Sequence, residues 1–295
     1  MEERAITAAG ILNGLSVDVE DWFQVGAFEN TIARSDWDGM ALRVGDNVRR
    51  VLDLFDEVGV KATFFTLGWV AERDPAAIRA IVERGHELAS HGYDHTRVFT
   101  FDPKQFAADL TKSRAILEDA GGANITGYRA PSFSIDQRTP WAHEVLAEHG
   151  YAYSSSVAPI RHDHYGWREA PRFAFRPVAD SALVEIPVTT AQIGERRLAA
   201  GGGGFFRVLP YEFSRWAIAR VNRDDRRPAV FYFHPWEVDP GQPRVTDAPL
   251  RSKLRHYTNL SGMADKLRRL AGDFHWGRMD EIARIEAQRC VEFAP

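Results

Sequence analysis

Between residues 12 and 155, short apolar runs alternate with longer amphipathic stretches. This alternation restricts the available folds more than any other feature of the chain. The runs cover 12–20, 61–67, the stretch ending at Ser90, 125–130 and 151–155. Between the first two, Val44, Val48, Val51, Leu52, Phe55 and Val58 recur at helical spacing, and Gly59 follows as a stop. Asp74-Pro75 and Asp102-Pro103 each pair an N-cap acid with proline at the first helical position. Those helices are expected to stop at Gly85 and at Gly121-Gly122, and another is expected near 140–149. Strands alternating with amphipathic helices predict a parallel sheet with right-handed crossovers, open or closed into a barrel. Ligands in such folds gather at the carboxyl ends of the strands.

Beyond Val157 the pattern loosens. Residues 161–176 read as a long excursion, 183–188 as a strand, 211–221 as a helix and 229–233 as a strand. Gly201 to Gly204 is a four-glycine run. It lacks the Gly-Lys-Ser/Thr of a phosphate cradle and reads as a loop beside a cleft. Past 239 the alternation is lost. Helical patterns at 263–270 and 279–288 are expected to pack on the outside, and 251–257 reads as a packed surface segment, with glycan contact as the alternative.

At 295 residues, 44% hydrophobic, the chain can bury a full core as one large α/β domain. Its 37 basic and 41 acidic residues are interleaved, with no basic face or tail, which argues against nucleic acid as a partner. Cys290 is the single cysteine, so no internal disulfide forms and a reducing compartment suits the chain. No run approaches the ~20 apolar residues of a membrane span, and residues 1–10 lack the pattern of a secretory signal. A cytoplasmic location is expected.

Candidate chemistry collects at the strand ends. His91 and His95 lie four positions apart after the third run; one helical turn there would put both imidazoles on one side. Two imidazoles suit zinc, nickel, cobalt or iron but still need an oxygen ligand. Strand alternation puts Asp18 and Glu20 on one face, and buried acids are costly unless they bind something charged. Asp21 next to them reads first as a helix cap. Arg129 ends the fourth run, either as a plain ion pair or holding a catalytic carboxylate. His234 ends the last strong run, and with Trp236 nearby it reads as a general acid beside an aromatic wall. The histidine pair encloses Gly-Tyr-Asp, which disfavours a metalloprotease.

The ordered set Ser-Val-Asp-Val-Glu (16–20), Ser-His-Gly-Tyr-Asp-His (90–95), Arg-Ala-Pro-Ser-Phe (129–133) and Phe-Tyr-Phe-His-Pro-Trp-Glu (231–237) resembles the polysaccharide deacetylase family, the NodB-homology carbohydrate esterases. The tail stretches 239–244 and 255–260 are similar to the branch found with exosortase-type exopolysaccharide loci. The likeness spans about 12–276. It implies a distorted (β/α) barrel with about seven parallel strands, a catalytic domain over 12–238 and a C-terminal extension over 239–295 packed on the barrel. It also implies a divalent metal, with zinc expected and nickel or cobalt as alternatives, and an N-acetylated glycan as substrate. By motif position, Asp18 falls on the catalytic base, His234 on the general acid and Arg129 on the residue orienting the base. His91, His95 and Glu20 fall on the metal ligands, and Trp22, Tyr93, Pro131, Phe133 and Trp236 on the substrate cleft. Val19 separates two acids that are adjacent in most members, so Glu20 and Asp21 both compete for the carboxylate ligand. Ser132 replaces a common aromatic, with Phe133 as substitute. The aspartate-tryptophan motif that supports the general acid is missing, and Asp163 is the stand-in. The alternatives are an amidase of small rings, such as allantoin or a cyclic imide, and a glycan-binding pseudoenzyme.

Overall fold

A computed structural model describes residues 10–161 and 166–293. Its strands are β1 (Leu12–Val19), β2 (Thr63–Thr66), β3 (Glu87–Ser90), β4 (Gly127–Tyr128), β5 (Tyr153–Ser154), β6 (Phe175–Arg176), β7 (Val184–Glu185), β8 (Thr190–Ile193), β9 (Arg196–Ala199), β10 (Val230–Phe233), β11 (His275–Gly277) and β12 (Val291–Glu292). Seven run parallel in the spatial order β10-β1-β2-β3-β4-β5-β7. β6 then pairs antiparallel with β7, and β12 parallel with β6. The sheet curls toward closure, because the chain beyond β7 reaches the opposite edge. There Tyr232 N donates to Gly201 O at 2.8 Å and Val230 N to Thr189 Oγ1 at 2.5 Å. The result is the expected distorted barrel.

The helices are α1 (Val44–Val58), α2 (Gly68–Arg73), α3 (Pro75–Glu83), α4 (Pro103–Gly121), α5 (Trp141–Glu148), α6 (Gly203–Val208), α7 (Tyr211–Arg220), α8 (Leu250–Tyr257), α9 (Met263–Asp273) and α10 (Met279–Glu286). The two Asp-Pro starts behave as their chemistry requires. Asp74 accepts from Ala77 N at 3.0 Å, and Asp102 with Gln105 forms a reciprocal capping box, interactions worth about 1 kcal/mol each. α1 ends on Gly59 in the left-handed conformation, φ 69°.

Register decides what the barrel encloses. Asp18 pairs with Phe65, Phe65 with Ala89, and Ser16 with Tyr232. With a side-chain period of two, these residues share the inner face. Their sequence neighbours Val17, Val19, Phe64, Leu88, Phe231 and Phe233 point outward into the main core beneath the helices. The amino end of the interior is plugged by apolar packing of Phe65, Ala89, Tyr153, Val184 and Val230 against Met279 and Ile282 of α10. The carboxyl end stays polar and open. The outer faces therefore carry the hydrophobic stabilisation, and the inner carboxyl rim is free for chemistry.

Residues 239–293 are built onto this frame. β11 pairs along β1, with Leu12 opposite His275, and Met279 N at the start of α10 donates to Thr63 Oγ1 at 2.7 Å. No helix among the described residues is long and apolar enough to cross a membrane.

Candidate active site

β1 carries Asp18 to the rim and ends on Glu20 and Asp21, which the fold separates by function. Asp21 Oδ2 accepts from Arg43 N at 2.8 Å and Val44 N at 3.0 Å, so it caps α1. Burial pushes its carboxyl up to about 6 against those bonds. Glu20 faces inward with His91 and His95, and one ligand atom from each of the three lies within 4.8 Å of the others. Of the two acids, Glu20 is the one that stands with the histidine pair, and Asp21 is the one turned to the start of α1.

The two histidines do not share a helical turn. His91 follows β3 directly. Gly92 then takes a left-handed φ of 76°, and His95 itself sits at φ 61°. The chain thereby loops back until the two rings are 5.5 Å apart. His91 Nδ1–H donates to the carbonyl of Arg129 at 2.8 Å, which leaves the Nε2 lone pair directed at the site. Burial holds His91 down to about 4, so it is neutral and available as a ligand. Glu20 is buried, which would raise its carboxyl, yet His95 and His234 bring it down to about 2. His95 Nε2 lies 2.9 Å from the buried Glu20 Oε2, which has no well-aligned donor among the described residues. Two imidazoles around a buried carboxylate oxygen suit a divalent cation of the zinc class.

Asp18 belongs to a separate network. Its Oδ1 accepts from Arg129 Nη1 at 2.6 Å. Arg129 is fully buried and also donates to Ser16 Oγ at 2.8 Å, to Ser155 O at 3.0 Å and to Ser155 Oγ at 2.9 Å. Its guanidinium lies over the Phe65 ring at 4.1 Å. All three guanidinium nitrogens are engaged, so the arginine fixes where Asp18 points.

His234 faces Glu20 across the cleft, Nε2 to Oε1 at 3.4 Å, and stacks on Trp236 with ring centres 5.2 Å apart. Its Nδ1 bonds Glu237 Oε1 at 2.8 Å. Burial opposes the imidazolium, but Glu20, Glu237 and Asp18 outweigh it and push His234 up to about 9. Glu237, brought down to about 2 against its burial by Arg207 and His234, bonds Arg207 Nε at 2.6 Å. The acid beside His234 is therefore the last residue of its own His-Pro-Trp-Glu motif, three positions on. Asp163, the expected stand-in, lies outside the described residues. Arg207 was invisible in the sequence, because only the fold brings α6 against that motif. The glycine run is no loose loop either: it opens α6, and a Cβ on Gly203 would stand 2.3 Å from Glu237 Oε1.

Asp18, Glu20, His91, His95 and His234 all line one cleft of about 350 Å³. Phe133 and Trp236 line it as expected. Ser132 and Phe133 both adopt positive φ, 55° and 50°, a strained turn for side-chain-bearing residues beside the site. Three expected cleft residues lie elsewhere. Trp22 is buried in the main core against Phe23, its Nε1 bonded to Ala41 O, because the Asp21 cap turns the chain outward. Tyr93 points back toward α2 and α4, its hydroxyl on Glu72 at 2.8 Å and Lys112 over its ring. Pro131 is buried at the start of the 131–133 turn, behind the lining.

Two family models match consecutive parts of the chain: polysaccharide deacetylase over residues 37–154 and a domain of unknown function (DUF3473) over 155–284. The chain is 34% identical over 110 residues to a peptidoglycan deacetylase of Helicobacter pylori, covering 37% of this chain and 36% of that protein. It is 34% identical over 137 residues to a chitooligosaccharide deacetylase of Bradyrhizobium, covering 46% of this chain and 56% of that one. The chain thus spans well under two thirds of these relatives. A solved Mycobacterium smegmatis structure assigned to the polysaccharide deacetylases superposes with a TM-score of 0.67 at 22% identity, over 96% of this chain and 93% of the other, a likeness of fold. The family model and the two relatives of 34% identity agree that residues 37–154 of this chain form a polysaccharide deacetylase domain.

Proposed function

We propose that the chain is a metal-dependent hydrolase that removes N-acetyl groups from amino sugars of a polysaccharide, an exopolysaccharide in the branch to which its tail is similar. One observation carries this reading. A two-histidine, one-carboxylate set, an arginine-held carboxylate and a glutamate-held imidazole all face the same open cleft. Glu20, His91 and His95 would hold the ion, of zinc type, with nickel or cobalt as alternatives. Bound there, a divalent cation supplies Lewis acidity for the acetyl carbonyl and makes water more acidic.

The chain's own residues do the rest. Asp18, fixed by Arg129, accepts the proton of the water that attacks the acetyl carbon. His234 Nε2 faces the cleft, since Nδ1 is committed to Glu237, and it delivers a proton to the nitrogen as the C–N bond breaks. Acetate and a free amine leave. A positioned proton transfer of this kind is worth about 10²–10⁴ in rate. Phe133 and Trp236 offer apolar faces against which a sugar ring packs.

Acetate release from N-acetylated oligosaccharides, with added metal and with chelator, tests the reading. Activity that needs metal and falls by about 10²–10⁴ in His234→Ala while the ion stays bound supports it. A protein that never releases acetate, or a His234→Ala variant with unchanged turnover, overturns it.

A further inference from the structure

Helix α8 forms one wall of the cleft through Arg251, Ser252, Arg255 and His256. Arg251 and Arg255 are one helical turn apart and exposed, and neither guanidinium has a hydrogen-bond, ion-pair or ring partner among the described residues. The third arginine on the rim behaves differently: Arg97 pairs with Glu29 at 2.6 Å, both lining the same cleft.

The placement of Arg251 and Arg255 works against the helix that carries them. Like charges at i and i+4 repel, and Leu-Arg-Ser-Lys-Leu-Arg-His-Tyr contains no acid to offset them. Arg251 sits in the first turn, where the helix dipole disfavours a cation. Arg255 sits in the last turn, where a cation normally answers the free carbonyls. Those carbonyls are already taken: Arg207 donates to Arg255 O at 3.1 Å, His256 O at 3.0 Å and Thr258 O at 2.7 Å. Neither charge serves the fold. The same Arg207 bonds Glu237, so α8 is anchored to the residue that holds His234, and its two free cations stand at a fixed place beside the site.

We infer that the substrate is an anionic glycan, whose carboxylate or phosphate groups are read by Arg251 and Arg255 on the α8 wall. This rests on the deacetylase reading. The charges of the floor are internally matched, Asp18 by Arg129 and Glu237 by Arg207 and His234, whereas the rim carries the two unpaired arginines. A neutral acetamide enters the floor while the charged groups of neighbouring residues stay at the rim. Guanidinium is suited to both carboxylate and phosphate through paired N–H donors.

The test uses the full chain loaded with metal, compared with Arg251→Gln/Arg255→Gln. Both positions are exposed and lie outside the packed core, so the variant retains the fold. Three substrates separate the chemistries: a neutral N-acetylglucosamine tetramer, an oligomer alternating glucuronate with N-acetylglucosamine, and a phosphorylated N-acetylglucosamine oligomer. The double substitution is expected to raise KM about tenfold or more for one or both anionic substrates, the loss of charge-assisted bonds. It should leave kcat and the neutral KM unchanged, and the arm that responds identifies carboxylate or phosphate. Equal kcat/KM on all three substrates, unmoved by the substitutions, overturns the inference. Calorimetric binding of the glucuronate oligomer provides a readout without turnover. Binding lost in the variant, with acetate released from no substrate, upholds the anion wall and discards the deacetylase reading. Leu250 and Leu254 are exposed on the same helix. Anionic phospholipid vesicles bound through Arg251 and Arg255, with oligosaccharide binding indifferent to them, would overturn the inference in favour of a lipid surface.

Discussion

Arg207 and Glu237 form an ion pair in which neither side chain is more than 1% exposed, Nε to Oε2 at 2.6 Å. Removing one partner of such a pair leaves the other buried and charged, which costs about 3–5 kcal/mol. Arg207→Met should show a loss of that size in urea denaturation, because three carbonyls at the end of α8 are stranded as well. Glu237→Gln keeps the volume and one acceptor for His234. It should stay folded and lose about 10–100-fold in turnover, as outer-shell partners of catalytic groups do. Unchanged turnover in a folded Glu237→Gln would remove Glu237 from any role in setting His234.

His91 and Arg129 are joined by backbone as well as by role, since the His91 Nδ1–H donates to the Arg129 carbonyl. His91→Ala is expected to abolish stoichiometric metal binding, read by elemental analysis after desalting, and His91→Gln to retain at most a small fraction. Metal bound to the folded state only adds RT ln(1 + [L]/Kd), about 2.7 kcal/mol at a hundredfold excess over Kd. Chelation should therefore lower the melting temperature of the wild-type chain and leave that of His91→Ala where it was. A variant that keeps a full equivalent of metal would rule out the Glu20, His91 and His95 set.

Gly203 approaches Glu237 so closely that only a hydrogen fits on its Cα. Gly203→Ala should move the Glu237 carboxylate off His234 and Arg207. The expected result is a stability loss of about 1–3 kcal/mol from overpacking, together with a fall in turnover like that of Glu237→Gln. Gly204 is the internal control, since its Cβ would meet nothing within 4 Å. Gly204→Ala should be nearly silent, and equal effects at the two positions would contradict the close approach.

The parts of this molecule that announce themselves in sequence are those with a local physical cause. The helix α1 spans the residues read from its spacing, and Asp74-Pro75 and Asp102-Pro103 start helices where their side chains can cap. Inward placement of Asp18 and Glu20 followed from period-two alternation alone. Other features depend on contacts between distant segments. Arg207 reaches Glu237 across 30 positions, and Ser155 reaches Arg129 across 26. Strands of two to four residues such as β8, β9, β11 and β12 are too short for a period to register. The family resemblance puts Trp22 and Tyr93 in the cleft because both lie within or next to its motifs. Their rings instead fill the helical layer, since the side of the chain on which a loop residue emerges is set by tertiary packing.

His86 precedes β3 and is buried between Phe55 and Phe64, ring centres 5.7 Å and 5.1 Å away. Its Nδ1 accepts from Ala62 N at 3.1 Å, and its Nε2 has no partner among the described residues. Burial, helped by the nearby Lys61, brings its pKa from 6.5 down to about 4. The folded chain therefore binds this proton less readily than the unfolded chain does. Its contribution to stability is complete above pH 6.5 and is lost as pH falls from there toward 4. His86→Asn retains an acceptor for Ala62 N but has no proton to gain. The variant should be less stable than wild type at pH 8, where the ring packing is missed, and the gap should shrink steadily from pH 6.5 to 4. Chemical denaturation at several pH values measures both slopes on otherwise identical chains, so acid-sensitive groups elsewhere cancel. Parallel slopes across that window would mean that His86 takes up its proton equally in both states.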